Sequence, residues 1–313
     1  MKGTVYKSTG NLYSVQTDIK EIYKCTIKGK FRSYGIKSTN PIAVGDRVLF
    51  DVVNQNEYSG VIYEIEKRKN YIIRKSVNLS KLSHIIASNI DCCFLFVTPN
   101  NPITSSVFID RILVATESFG IETVILFNKI DSYSTSDMDF NESLTDIYSK
   151  IGYKCLNISV KQKTNINIVE KLMKNKISIF TGHSGVGKSS LINLLDPNLN
   201  LKTASVSHQN QQGQHTTTYA QMFDLKFGAK IIDSPGIKGF GLIDIEKTEL
   251  SNYFSEFRLI KHDCKFNNCL HQNEPNCAVK NGLNNGQISK SRYKNYLSMM
   301  VDENKNYRTD FWN

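Results

Sequence analysis

Across residues 3–75, apolar and polar residues alternate in short runs broken by glycine, proline and asparagine, and no stretch of helical period interrupts them. The runs Gly3 to Tyr6, Leu12 to Val15, Tyr23 to Ile27, Arg47 to Val53, Gly60 to Glu66 and Tyr71 to Arg74 read as half-buried strands. Arg47-Val48-Leu49-Phe50-Asp51-Val52 follows the turn Pro41-Ile42-Ala43-Val44-Gly45-Asp46 and shows the two-residue period most clearly. Five or so short strands in about 75 residues predict a small closed all-β barrel, and an OB-fold suits that size and count.

From about residue 81 the pattern changes. The fully apolar run Cys92 to Val97 is followed by an amphipathic helix over Asp110 to Phe119 and a second buried strand, Glu122 to Phe127. A short strand at Lys154 to Ile158, the run Ile177 to Phe180, helical spacing over Ser190 to Leu195 and the run Ala229 to Ile232 continue the alternation. Strands buried on both faces and separated by helices predict an α/β domain with a parallel sheet. Beyond it the chain turns helical over Asp244 to Lys261 and again, amphipathic and basic, over Ser289 to Val301. These shifts divide the chain into expected domains at 1–80, 81–245 and 246–313.

Composition adds direction to this outline. The 313 residues are 40% hydrophobic and 22% charged, the balance of a globular protein. No apolar run approaches the ~20 residues that cross a bilayer, and the N-terminus lacks the charged start and apolar middle of a secretory leader. A cytoplasmic monomer without membrane association is expected. The net charge of +10 is uneven: residues 1–80 carry 14 Lys and Arg against 7 Asp and Glu, whereas 81–245 carry 15 against 14 and 246–313 carry 10 against 8. A basic surplus at one end points to a polyanionic partner there. Lys28, Lys30, Phe31, Arg32 and Tyr34 mix cations with rings as a single-strand nucleic-acid binder would.

The candidate chemistry sits at the predicted strand ends. Gly182-His183-Ser184-Gly185-Val186-Gly187-Lys188-Ser189, followed by Ser190, is a G-x-x-x-x-G-K-S phosphate loop between a buried strand and a helix. Its backbone N–H groups would surround phosphate oxygens, Lys188 would reach the β- and γ-phosphates, and the Ser189 hydroxyl would bind Mg²⁺. Asn128-Lys129-Ile130-Asp131 ends an earlier strand, and a carboxylate such as Asp131 accepts from the N1–H and N2–H₂ of guanine, a pair adenine does not offer. Asn128 would support the base and Lys129 lie along it. Ser159-Val160-Lys161 ends the next strand, where a backbone N–H would meet guanine O6.

Gln212-Gly213-Gln214-His215-Thr216-Thr217-Thr218 is a candidate switch loop, with one of its threonine hydroxyls, taken as Thr217, completing the Mg²⁺ shell. Asp233-Ser234-Pro235-Gly236 is a D-x-x-G, in which Asp233 holds Mg²⁺ through water and the Gly236 N–H senses the γ-phosphate. Ile237 stands where many GTPases place the glutamine that orients the attacking water, so His215 becomes the candidate catalytic residue, with a partner-binding or backbone-bonding loop histidine as the other reading. His84, His183, His208 and His262 read as surface or capping residues.

The seven cysteines divide in two. Cys25, Cys92, Cys93 and Cys155 read as reduced thiols, whereas Cys264-x₄-Cys269-x-His271-x₅-Cys277 has the donors and spacing of a closed structural Zn²⁺ site.

Motif order is the anomaly: N-K-x-D and S-x-K precede the phosphate loop, and D-x-x-G closes the domain. Joining the old ends and cutting between D-x-x-G and N-K-x-D produces this order, so the chain reads as a circularly permuted GTPase. Together with the barrel, the G-x-H-T-T-T loop, D-S-P-G-I-K-G-F-G-L and C-x₄-C-x-H-x₅-C, it resembles the RsgA family of bacterial small-ribosomal-subunit biogenesis GTPases over nearly its whole length. The resemblance implies an OB-fold, a permuted GTPase domain and a helical zinc-binding domain that dock on 16S rRNA of the 30S subunit late in its maturation. It further implies subunit-stimulated GTP hydrolysis that times release. The chain departs from the family at Gln214, where Arg is usual, and at Asn276, where Gly often precedes the last cysteine. The alternative expectation is a zinc-dependent RNA-binding module that uses guanine nucleotide as a passive affinity switch.

Overall fold

The computed structural model describes residues 1–28, 41–75, 83–200, 220–233 and 245–301. Strands β1 (Lys2–Ser8), β2 (Tyr13–Thr17), β3 (Ile22–Ile27), β4 (Arg47–Asn54) and β5 (Ser59–Ile65) form a barrel in the order β1-β2-β3-β5-β4, closed by β1 on β4. The β3–β5 pair is parallel, as an OB-fold requires. Inward positions at every second residue bury Val5, Tyr13, Val15, Tyr23, Cys25, Val48, Phe50 and Ile62. Gly60 is obligatory here: a Cβ would lie 2.8 Å from the Phe50 ring and 2.9 Å from the Asp51 carbonyl oxygen.

The run from Tyr71 forms a strand, β6 (Tyr71–Lys75), but pairs with β7 (Ser83–Ser88) in a separate hairpin instead of joining the barrel. Alternation specifies a strand, not its partner. Ser88 of the hairpin and Arg68 of the segment before it hold the barrel through Asp46, whose buried carboxylate accepts from Arg68 Nε and Nη2 at 2.6 Å each and from Ser88 Oγ at 2.6 Å.

A second sheet follows, built from β8 (Cys92–Val97), helix α1 (Ser106–Ser118), β9 (Glu122–Phe127), α2 (Thr135–Lys150), β10 (Lys154–Asn157), α3 (Ile166–Met173), β11 (Ile177–Thr181), α4 (Lys188–Leu195), β12 (Gln221–Asp224) and β13 (Lys230–Asp233). Its order is β10-β9-β8-β11-β13-β12, parallel except for β12, and β1 of the barrel continues it through the pair Lys7 and Gln221. Cys93, Leu95 and Ile179 pack toward α1 and α2 on one face, and Phe94, Phe96 and Phe180 toward α3 and α4 on the other. That is why these strands are apolar throughout.

Helix α1 starts four residues before the predicted Asp110, because the Ser105 side chain accepts from the Phe108 N–H and caps it. Helix α2 escapes an apolar-period reading since only Asn141, Leu144 and Tyr148 are buried along it. Its signal is polar: a capping box between Ser134 and Asp137.

The expected helix from Asp244 to Lys261 is broken. Within the described residues a 3₁₀ turn at Leu250–Tyr253 gives way to extended Phe254, then α5 (Ser255–Ile260) and a 3₁₀ turn at Lys261–Asp263. The interruption lets the buried Phe254 ring meet Phe257 at 5.0 Å and Tyr296 at 5.4 Å. Helices α6 (Ala278–Asn284) and α7 (Lys290–Val301) complete this part, whose apolar cluster also takes in Val114 of α1. No helix among the described residues is long and apolar enough to cross a membrane.

Candidate nucleotide site and metal centre

Parallel strands deliver their C-terminal ends to one edge of the sheet, where polar loops replace apolar runs. Between β11 and α4, Gly182 has φ +134° and a Cβ there would lie 2.6 Å from the Phe96 carbonyl oxygen. Gly187 has φ +103°, and its Cβ would overlap the Asn128 amide nitrogen. Both positions demand glycine, for backbone conformation and for close approach. Lys188 folds back on this loop, donating from Nζ to the carbonyls of Gly182 at 2.6 Å and His183 at 2.5 Å. Ser189 and Ser190 follow in the first turn of α4, and Ser184 is exposed.

Asn128 joins three of the motifs read from the sequence. Its buried side chain donates from Nδ2 to the Val186 carbonyl at 2.8 Å and accepts on Oδ1 from the Val160 N–H at 3.2 Å. The phosphate loop and the Ser159–Lys161 loop are thereby held to one residue of N-K-x-D. Asp131 is oriented by Ser159, whose hydroxyl donates to Oδ1 at 2.6 Å while accepting from the Gln162 N–H at 2.9 Å. Lys129, in a left-handed conformation at φ +71°, donates to the Asn101 carbonyl at 2.6 Å, and burial depresses its ammonium pKa. Lys161 is exposed. Asp233 ends β13 opposite Gln221.

Two supports went unread in the sequence. Tyr133 donates its hydroxyl to the Asn128 carbonyl at 2.8 Å, and burial raises its pKa. Phe108 of α1 stacks on His183 at 4.0 Å between ring centroids. His183 is therefore packed against a helix, not a surface or capping residue, and burial, then the Lys188 charge, pulls its pKa below 6.5. Phe108 lies before the helix expected at Asp110 to Phe119, and nothing in the sequence pairs it with a loop 75 positions away. His262 does lie at the surface, 3.4 Å from Asp263. His215, Thr217, Gly236 and Ile237, like Lys30, Phe31, Arg32, Tyr34 and His208, lie outside the described residues.

The metal-ligand pattern closes in space. Donor atoms of Cys264, Cys269, His271 and Cys277 all lie within 4.8 Å of one another. Cys264 Sγ is 3.9 Å from Cys277 Sγ, and His271 Nδ1 is 3.6 and 3.4 Å from those two sulfurs. Tetrahedral zinc with Zn–S bonds of ~2.3 Å separates its sulfurs by about 3.8 Å, so the donor set fits the ion. The Ala278 N–H points at Cys264 Sγ from 3.3 Å and favours the thiolate. Around the cluster, Glu274 accepts from the Leu270 and Gln272 amides, while Tyr293 and Tyr296 of α7 donate to the carbonyls of His271 and Leu270.

Known proteins are similar to this chain along its length. Residues 65–243 match the RsgA GTPase family and residues 2–62 the RsgA N-terminal domain. Proteins named small ribosomal subunit biogenesis GTPase RsgA are 54% identical in Flavobacterium psychrophilum, over 100% of this chain and 96% of theirs, and 55% identical in Christiangramia forsetii, over 99% of each. The crystal structure of YjeQ from Thermotoga maritima superposes with a TM-score of 0.78 at 35% identity, covering 96% of both chains. That of YloQ, described as a circularly permuted GTPase, gives 0.74 at 28% identity over 96% of this chain and 93% of that one. Barrel, permuted motif order, strand-end loops and full-length similarity agree, and the chain belongs to the RsgA GTPase family.

Proposed function

We propose that this chain binds the 30S ribosomal subunit through 16S rRNA late in subunit maturation and hydrolyses GTP when that subunit stimulates it, so that hydrolysis times its release. The observation that supports this best is the Asn128 joint, which ties a guanine-reading loop to a phosphate loop at one sheet edge. Relatives covering the whole chain carry the name small ribosomal subunit biogenesis GTPase. The working division is a barrel for RNA at 1–80, a GTPase domain at 81–245 and a zinc-binding helical domain at 246–313.

In this reading Asp131, held by Ser159, selects guanine, with Lys129 along the base and backbone of the Ser159–Lys161 loop at O6. The N–H groups from Gly182 to Ser190 and the Lys188 ammonium neutralise phosphate charge as it moves onto the β–γ bridging oxygen. Lys188 would exchange the carbonyls of Gly182 and His183 for phosphate. Ser189, Thr217 and Asp233 would hold Mg²⁺, which would supply positive charge to the phosphates. His215 orients the attacking water in place of a glutamine, and the Gly236 N–H contacts the γ-phosphate. Cys264, Cys269, His271 and Cys277 would hold a structural zinc ion, which would supply folding energy to the helical end rather than chemistry.

Steady-state hydrolysis with purified 30S and 50S particles tests this. GTP turnover that rises with 30S alone supports it; equal rates with both particles, or preference for ATP, would defeat it. The second reading, a zinc-dependent RNA-binding module whose nucleotide site is a passive affinity switch, draws on Ile237 standing where the glutamine is usual, and a Lys188→Ala protein that matures subunits as well as wild type would favour a purely RNA-binding role.

A further inference from the structure

Helix α1 is clasped from opposite sides. On one side α7 grips Ser106 and Asp110, which lie one turn apart on the same face. Asn295 donates from Nδ2 to Ser106 Oγ at 3.2 Å and Asp110 Oδ2 at 2.6 Å, and Arg292 Nη1 donates to Asp110 Oδ1 at 2.6 Å. Arg292 is held in turn by a two-bond pairing with Glu256 of α5, at 2.8 Å each. Tyr148 of α2 adds its hydroxyl to Asp110 Oδ1 at 2.8 Å. Arg292 and Asp110 are 1% and 0% exposed, so this is a closed ionic joint and not a surface pair.

On the other side, Phe108 points to the nucleotide site. Two residues from Ser106 and from Asp110, it projects about 200° around the helix from Ser106, and its ring stacks on His183 of the phosphate loop at 4.0 Å. The segment leading into α1 touches the base-reading side as well, because the Asn101 carbonyl accepts from Lys129. That segment is folded on itself by Thr98 and Thr104, whose backbone and side chain bond across it at 2.9 and 3.1 Å. Helix α7 meanwhile carries the loop of metal ligands through Tyr293 and Tyr296.

We infer that Arg292, on the helix that holds the metal-ligand loop, is a positioning residue for guanine nucleotide: through Asp110 it sets the register of α1, and through Phe108 it sets the seating of His183 in the phosphate loop. The inference rests on the phosphate-loop reading above. A rigid helix with an ionic joint on one face and a ring stack on the other transmits displacement, because the buried charges have one arrangement in which all are paired. Movement of the metal-bearing end on its RNA partner would then reach the nucleotide without any contact between them.

The test is a double-mutant cycle on the affinity of the full-length, zinc-loaded protein for a fluorescent GDP analogue. Arg292→Gln and Phe108→Leu are each expected to weaken binding about tenfold, and the double variant no more than about tenfold, since both act through one stack. Hydrogen exchange of the 182–188 amides should quicken in folded Arg292→Gln protein, which a purely local loss of stability would not produce. If Arg292→Gln does not fold, Asn295→Ala carries the test, with an expected loss of about threefold. Affinities within twofold of wild type in the folded variants, beside a Lys188→Ala control that has lost binding, would overturn the inference alone. Binding retained by Lys188→Ala would overturn the phosphate-loop reading and this inference with it.

Discussion

Replacing Asn128 with Ala separates a joint from a contact. The side chain is 1% exposed, and it supplies one donor to the Val186 carbonyl and one acceptor to the Val160 N–H. Truncation leaves both backbone groups without those partners. At about 1–3 kcal/mol for each polar group left unpaired, and with the lower half of that range favoured because the loops border solvent, the loss is about 2–4 kcal/mol. If the loops separate in the empty protein and must be reassembled by ligand, this corresponds to about 30- to 700-fold in the GDP dissociation constant. Fluorescent-GDP titration reads that loss, and thermal unfolding without nucleotide reads whatever part falls on folding. A second variant sharpens the result: a Cβ at Gly187 would strike the same Asn128 nitrogen, so Gly187→Ala should cost less in the Asn128→Ala background than alone. Asn128→Ala binding GDP within threefold of wild type, at an unchanged melting temperature, would refute the idea that this side chain joins the two loops.

Other expectations follow from the same geometry. Cys277→Ser removes a buried ligand from the metal cluster, so the helical end should lose its cooperative unfolding and the protein should retain less than one zinc per chain by atomic absorption. His215→Ala should lower 30S-stimulated kcat by about 100-fold with little change in nucleotide affinity, the range of a lost general base or water-orienting group; an unchanged kcat would remove it from the mechanism. The His183 pKa lies below its unfolded value of 6.5, so its neutral form is favoured in the fold and its share of stability is present above pH 6.5 and lost as pH falls through the depressed value. Wild type should therefore lose more stability between pH 7 and pH 5 than His183→Gln, measured by denaturant titration at each pH.

What could be read from the chain depended on whether the cause was local. Gly182 and Gly187 are legible because a phosphate loop needs glycine at set offsets, and the structure supplies the steric reason in Phe96 and Asn128. The metal ligands are legible because donor type and spacing suffice, and the fold brings them within 4.8 Å. The Tyr71 strand was legible as a strand yet not as a hairpin partner of β7, since alternation carries no address. Arg292 was opaque. In Lys290-Ser291-Arg292-Tyr293-Lys294 it looks like one cation on a basic, solvated helix, and its partners Asp110 and Glu256 lie 182 and 36 positions away. Only the fold distinguishes a buried guanidinium with two carboxylates from the exposed lysines beside it.

The permuted order has a mechanical consequence that follows from the sheet. In the permuted order the barrel precedes the GTPase region, which begins at β8, and the metal-ligand region follows the D-x-x-G that starts at Asp233. On one side, β1 of the barrel pairs with β12 at Lys7 and Gln221, and Gln221 pairs in turn with Asp233, so three strands place the barrel two ladder positions from a proposed Mg²⁺ partner. On the other side, the helices around the metal-ligand loop return to pack on α1, the first helix after β8, through Val114 and the Asp110 joint. An unpermuted arrangement would begin at the phosphate-loop strand and end beyond N-K-x-D, leaving D-x-x-G in mid-domain with no appended region continuing from it. Here D-x-x-G is itself the exit. In the proposed reading the γ-phosphate contact would lie on the connection that leads to the metal-ligand region, while α1 packs against that region through Val114 and Asp110 from the phosphate-loop side.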